Sequence, residues 1–280
     1  MKSFINQNVF EQTMREGKCL IDENGNAKCA KCGKLLESGT GAFRTFIKCT
    51  KCDESVIEAT RRINEEKKEA EARKQAHKIN EAKKACFEGE RAFEQTFAND
   101  NLVNREISEK LQNNYVAHFD KYKSEGCGLL LYGGIGTGKT YLARAVLHAL
   151  IEKGYKAKEI QISKVYNSIC ANGEKRETFL NELCTNHVVF IDDLGTERTN
   201  EGMSEFVYSI INSLYEYKIP IICTTNLALA KFSKPDLDTN TGRVYSRILG
   251  ASIPLEINKI NIRNNNCKAL FAEWKANNAC

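Results

Sequence analysis

The sequence predicts an α/β protein: a parallel sheet sandwiched between helices, with a small cysteine-rich head and a helical linker in front of it. Three observations predict this. A short apolar run, Cys127 to Tyr132 (CGLLLY), leads through a glycine-rich loop into Tyr141 to Lys153, where apolar residues recur at helical period. Two further apolar runs, Val188–Ile191 and Ile219–Cys223, each end in polar residues and are separated by helical stretches. Two C-x-x-C pairs lie within the first 52 residues, followed by a charged, proline-free stretch. Strands alternating with helices imply right-handed crossovers and a parallel sheet, whose strand carboxyl ends collect the polar groups.

The head comes first. Cys29-Ala30-Lys31-Cys32 and Cys49-Thr50-Lys51-Cys52 have the spacing of a four-cysteine zinc site. Two residues between thiolates allow one tight turn to put both sulfurs on one ion, and two such turns close a tetrahedron. Gly33 suits the bend after the first pair, where the second pair has Asp53. Thr45–Lys48 reads as a strand of a zinc-ribbon-like fold. Four thiolates leave no open coordination position, so a structural Zn²⁺ is expected, and it supplies most of the folding energy of so short a segment. Cys19 is not required as a ligand. The chain has 12 cysteines in all, and those beyond the head read as small buried hydrophobes.

Residues 54–90 are dense in Glu, Lys, Arg and Ala and read as one long helix with solvated faces. Val56, Ile63 and Ala70 repeat every seven residues, but His77 and Lys84 end that seam. A plain helical linker is therefore expected, ending near Gly89. The third region, 91–280, then begins with Phe93 and Phe97 packing on its core. The expected organisation is 1–53 head, 54–90 linker and 91–280 nucleotide-binding domain.

Gly133-Gly134-Ile135-Gly136-Thr137-Gly138-Lys139-Thr140 fits G-x-x-x-x-G-K-[ST], with a strand before it and a helix after it. Glycines at 133, 134, 136 and 138 let backbone N–H groups turn around phosphates where a Cβ would intrude. Lys139 adds a positive charge, Thr140 can hold Mg²⁺, and Thr137 and Tyr141 complete the nucleotide contacts. The helix N-terminus behind the loop favours anions. ATP and Mg²⁺ are the expected cofactors.

About fifty residues on, His187-Val188-Val189-Phe190-Ile191-Asp192-Asp193 is an apolar strand ending in two carboxylates. Asp192 is placed to hold Mg²⁺, and Asp193 to polarise the attacking water. The next strand runs into Thr224-Thr225-Asn226, and Asn226 is placed to orient that water. Arg243 and Arg247 project from one helix face at i and i+4. In an assembly of such ATPases, one of them reaches the γ-phosphate held by a neighbour. Arg263 follows the last strand, Ser252 to Ile257.

Composition sets limits. A net charge of +5 with 28% charged residues permits a nucleic-acid partner without demanding one. No run approaches 18 apolar residues and the start lacks an apolar h-region, so a cytoplasmic protein with no membrane span is expected.

The stretches GGIGTGKTYLARAV, VVFIDDLGTER, IINSLYEYKIPIICTTNL and GRVYSRILG together resemble the AAA+ ATPases of the DnaC/DnaI-type replicative helicase loader family, related to the IstB-type transposition helpers. The resemblance covers roughly Arg91 to Cys280, and some loaders also carry an N-terminal zinc-binding head. It implies an AAA+ fold without a full helical lid. It assigns Lys139 and Thr140 to phosphate and Mg²⁺, Asp192 to Mg²⁺, Asp193 to general base and Asn226 to sensor 1. Arg247 matches the arginine finger, with Arg243 its companion, and Arg263 is similar to sensor 2. The implied partners are single-stranded DNA and a DnaB-type helicase gripped by the head, with self-association through the arginine finger. Lys121, Lys123, Lys153, Lys156 and Lys158 are the candidate DNA-phosphate contacts. Two departures stand out. Leu214 occupies the position where many relatives have Arg before the Tyr. The acidic pair is Asp-Asp where AAA+ proteins usually have Asp-Glu, which implies slow hydrolysis. Alternative functions are an IstB-type transposition helper and a nucleotide-gated regulator.

Overall fold

The computed structural model describes residues 15–17, 19–21, 27–35, 37–40, 45–49, 51, 54–99, 105–170, 176–195, 201–233, 236 and 239–257. The chain divides into two compact units, Met1–Ala76 and His77–Cys280.

In the first unit, β1 (Cys19–Ile21) pairs antiparallel with β2 (Ala27–Cys29), and β3 (Glu37–Thr40) with β4 (Thr45–Lys48). The strand expected at Thr45–Lys48 is present. Such short two-stranded ribbons are marginal on their own. Cys19, Cys29 and Cys49 are the buried side chains here among the described residues. Helix α1 (Glu54–Cys86) follows, and its residues 61–78 are all exposed. Ile63 of the heptad seam is 51% exposed. Pairs one turn apart, Arg61 with Glu65 and Arg73 with Glu69, lace the surface, each worth about 0.3–0.5 kcal/mol. A proline-free charged segment forms a helix by propensity and i,i+4 pairing, with no core needed.

The second unit is built on five parallel strands in the order β6-β7-β8-β5-β9. These are β5 (Gly128–Tyr132), β6 (Ala157–Ile160), β7 (Val188–Ile191), β8 (Ile221–Thr225) and β9 (Ser252–Glu256). Helices α2 (Phe119–Glu125), α3 (Lys139–Glu152), α4 (Ile162–Cys170), α5 (Arg176–Leu183), α6 (Glu201–Glu216) and α7 (Asn240–Gly250) connect and flank them. The period of two divides each strand between two cores. Leu129, Leu131, Val188, Phe190 and Ile222 face one core, with Leu142, Val146 and Leu150 of α3. Leu130, Val189, Ile191, Ile221 and Cys223 face the other, with Phe206 and Ile210 of α6 and Ile248 of α7. Burial on both faces explains why these strands read as unbroken apolar runs. Burial pushes the Cys223 thiol up to about 12, as fits a small hydrophobe rather than a reactive group. Among the described residues no helix is long and apolar enough to cross a membrane.

The second unit starts upstream of Arg91. Ile79 and Ala82 of α1, then Cys86, Phe87 and Ala92, join the α3 side of the core, with Phe93 and Phe97 packed against it. His148 of α3 anchors this segment. Its ring stacks on Phe87 with centroids 4.3 Å apart. Its Nε2 lies 2.9 Å from the Ala92 carbonyl, which can only accept, so Nε2 carries the proton. Burial holds the His148 pKa below its ordinary 6.5, keeping the ring neutral. Its stabilising contribution is therefore present above about pH 6.5 and lost as pH falls below that value. His187, also lowered by burial, acts in the same direction. We expect Tm to drop between about pH 7 and pH 5, by roughly 2–4 °C for each kcal/mol lost, and to drop less in His148→Gln. An equal acid drop in that variant, read by calorimetry, would place the effect elsewhere.

Candidate functional site

The site lies at the carboxyl ends of β5, β7 and β8. The loop 133–138 wraps from β5 to α3 with Gly133, Gly136 and Gly138 at φ 139°, 78° and 96°. These are conformations that L side chains rarely adopt, so the glycines are conformational requirements. A Cβ on Gly134 would meet only ordinary contact with Thr137 Cγ2, at 3.6 Å, so position 134 is set by neither strain nor space. Thr137 pins the loop internally, donating to the Gly134 carbonyl at 3.0 Å. Lys139 is 6% exposed. Its ammonium donates to the Gly133 and Gly134 carbonyls at 3.0 and 2.6 Å and to Asn226 Oδ1 at 2.8 Å. Folding thus brings the phosphate-loop lysine and the polar residue at the end of β8 into direct contact, across 87 positions of sequence.

Asp192 is the hub of the acidic half. Thr140 Oγ1 donates to Asp192 Oδ1 at 2.9 Å, and Thr224 Oγ1 donates to the same oxygen at 2.7 Å. Thr224 in turn accepts from the Asp193 N–H at 2.9 Å. Asn226 Nδ2 donates to Asp193 Oδ1 at 3.3 Å. Thr225 ties the loop down by donating to the Leu194 carbonyl at 2.7 Å. Asp193 itself sits at φ 58°, uncommon for a residue with a side chain and a form of strain found at functional sites. The left-handed turn leaves its carboxylate exposed at the rim.

Behind this centre lies a polar layer that sequence reading missed. Arg144, one turn along α3 from Thr140, makes a two-nitrogen pair with Glu159 of β6 at 2.6–3.0 Å and takes Gln95 Oε1 at 2.8 Å. Burial raises the Glu159 carboxyl above its ordinary range, and Arg144 opposes that shift. Tyr141, expected at the nucleotide, donates its hydroxyl to the Thr96 carbonyl at 2.7 Å. The available signals were an acid inside a buried strand and polar residues at α3 positions facing the preceding segment. Neither stands out without the fold.

The donor sets suit the expected cofactors. Thr140 and Asp192 place hard oxygens 2.9 Å apart, the ligand type Mg²⁺ takes. In the head, the sulfurs of Cys29, Cys32 and Cys49 lie within 4.8 Å of one another, with Cys32 and Cys49 at 3.7 Å. Zinc–sulfur bonds of about 2.3 Å place tetrahedral sulfurs about 3.8 Å apart. The knuckle is closed by the Gly33 N–H donating to the Cys29 carbonyl at 2.8 Å, with Gly33 at φ 72°. Cys52, the fourth expected ligand, and Arg263 lie outside the described residues.

The arginines and lysines separate. Arg243 is exposed on α7. Arg247, one turn on, lies against two tyrosines of α6. Of the candidate DNA contacts, Lys153 bonds the Val116 carbonyl, Lys156 the Thr185 hydroxyl and Lys158 the Ala85 carbonyl. These lysines gather around the amino ends of the strands, opposite the phosphate loop, and their ammonium groups serve internal contacts.

Comparison with known proteins agrees with this geometry. The IstB-like ATP binding protein family matches residues 48–268. The replicative helicase loader DnaI of Bacillus subtilis (strain 168) is 25% identical over 169 residues, 54% of this chain and 53% of that protein. The chromosomal replication initiator protein DnaA of Latilactobacillus sakei subsp. sakei (strain 23K) is 32% identical over 104 residues, 35% of this chain and 23% of that protein. The chain thus spans about half the length of DnaI and about a quarter of that DnaA. A crystal structure of the DnaC helicase loader matches with a TM-score of 0.52 at 26% identity, covering 60% of this chain and 99% of that one. A DnaI crystal structure gives 0.51 at 20% identity over 63% of this chain and 94% of that one, a likeness of fold. The chain belongs to the IstB-like ATP-binding protein family, and its second unit is an AAA+ domain of the DnaC/DnaI type.

Proposed function

We propose that this protein is an ATP-dependent helicase loader. It binds a DnaB-type replicative helicase through its N-terminal head and single-stranded DNA through its AAA+ unit, and it couples ATP binding and slow hydrolysis to helicase delivery. The observation that carries this reading is the junction of Lys139, Thr140, Asp192 and Asn226, which links the phosphate loop to two strand ends. The loader relatives and the thiol cluster of the head support it further.

Bound ATP with Mg²⁺ supplies the phosphoryl group and the metal charge that neutralises it. Lys139 and the loop N–H groups bind the phosphates. Thr140 and Asp192 hold the metal side, with Thr224 fixing the Asp192 carboxylate from behind. Asp193 takes a proton from the attacking water, and Asn226, already bonded to Asp193, orients it. Lys139 holds Asn226 in the present arrangement, so a change of partner at Lys139 releases Asn226 toward the water. Arg247, with Arg243 beside it, completes the charge from a second copy, and Arg263 serves as sensor 2. Loaders act as switches, and a short Asp in place of Glu as base suits slow turnover.

The test is association. The full chain should co-migrate with a DnaB-type hexamer in ATP and Mg²⁺, and binding to single-stranded DNA should weaken steeply with salt. A transposition helper would instead bind its transposase and leave the helicase alone.

A further inference from the structure

We propose that Tyr208 and Tyr215 form a clamp that presents Arg247 to the triphosphate of a nucleotide held by a second copy of this chain. They are positioning residues, and the inference rests on the reading of Arg247 as a group acting in trans.

Tyr208 and Tyr215 are seven positions apart on α6, two turns along one face. Arg247 of α7 lies with its guanidinium carbon 5.0 Å from the Tyr208 ring centroid and 5.8 Å from that of Tyr215. Both distances are within the reach of a cation–π contact. One nitrogen, Nη2, also donates to the Tyr208 hydroxyl at 3.4 Å. Among the described residues, no carboxylate is paired with Arg247. The chemistry of that choice is informative. A carboxylate would take two of the five guanidinium N–H groups and cancel the charge. Ring faces fix the plane of the group and leave its donors and charge for an incoming anion. An arginine also loses more rotamer freedom on being fixed than most side chains, so holding it in advance favours any anion that docks there.

The platform is rigid where it needs to be. α7 starts on a Thr239 cap, whose hydroxyl accepts from the Gly242 N–H at 3.0 Å. Gly242 is pressed against the Asp236 carbonyl, where any Cβ would collide. Val244 and Ile248, three residues before Arg247 and one after it, bury the adjoining side of α7 in the core. Tyr215 is 45% exposed, so the clamp opens to solvent and to a neighbouring molecule. A planar, bidentate donor held at a rim and, among the described residues, paired with no carboxylate suits a polyphosphate.

The test uses full-length chains mixed in pairs with ATP, Mg²⁺ and the helicase, read as phosphate release. Lys139→Ala copies donate Arg247 but do not turn over; Arg247→Ala copies bind ATP but lack the finger. Mixing the two is expected to restore turnover. Adding Tyr208→Leu and Tyr215→Leu to the Lys139→Ala copy is expected to cut the restored rate about fivefold to tenfold, the size of lost ring contacts. Tyr208→Phe with Tyr215→Phe keeps the rings and most of the rate. In the receiving copy, which has no Arg247 to hold, the leucine changes are expected to be silent. A loss of equal size from either copy would show a packing role for the tyrosines and overturn the clamp. So would an unchanged rate in mixtures where Arg247 itself proves necessary. No restoration on mixing, or full turnover by Arg247→Ala alone, would overturn the reading of Arg247 in trans, and the clamp with it.

Discussion

Replacing Lys139 with alanine lowers ATP turnover by at least about 100-fold, the usual size of losing one preorganised donor to a developing charge. Two effects add. The phosphates lose the buried ammonium at the mouth of α3. The Gly133 and Gly134 carbonyls and Asn226 Oδ1 lose their shared donor, so the loop and the end of β8 come apart. Lys139→Arg fares little better, because a rigid planar fork cannot serve three acceptors arranged around a point charge. Phosphate release gives the rate. Calorimetry gives the binding: at about 100 times Kd, ATP stabilises the native chain by about 2.7 kcal/mol, and that increment vanishes in Lys139→Ala. Turnover at the native rate in the alanine variant would remove Lys139 from the chemistry.

The second large effect concerns the head. Chelation, or Cys29→Ser, is expected to unfold it, because structural zinc contributes about 10 kcal/mol or more to domains this small. The described part of the head offers two short ribbons and three clustered thiols, with almost no other buried apolar side chains. The AAA+ unit has two cores of its own and keeps its Tm and its ATP binding. Limited proteolysis separates the two units: the head is cleaved after chelation and protected before it. Elemental analysis of protein never exposed to chelator should give about one zinc per chain. A metal-free preparation with a protease-resistant head would contradict this account.

How much of this was legible in the sequence depended on whether the signal was local. The strands β5, β7 and β8 were legible because burial on both faces demands continuous apolar runs, and the phosphate loop because its backbone geometry demands glycine. The acidic pair and Asn226 were legible because strand ends in a parallel sheet converge. The start of the second unit was less so: Phe87 follows a helix that reads as solvated, and its burial against the core and stack on His148 come only with the fold. Thr224 was written in the sequence as a polar residue closing an apolar strand, but its bond to Asp192 is a matter of β8 lying beside β7. Arg144 with Glu159, and Arg247 with its two tyrosines, join residues far apart in sequence, and no spacing rule marks them. The surface lysines were legible only as charge, since charge in a sequence does not say which ammonium groups bond a neighbouring carbonyl, as those of Lys153 and Lys158 do.

The most direct test of the loader reading is light scattering on size-exclusion chromatography of the full chain mixed with its host's DnaB-type hexamer, with ATP and Mg²⁺. Cys29→Ser and Lys139→Ala are run alongside. The account predicts a complex larger than the hexamer alone, lost in Cys29→Ser because the gripping head unfolds, and altered in its nucleotide dependence in Lys139→Ala. A hexamer that elutes unchanged in ATP, in ADP and without nucleotide would contradict the account and favour a transposition helper or a nucleotide-gated regulator.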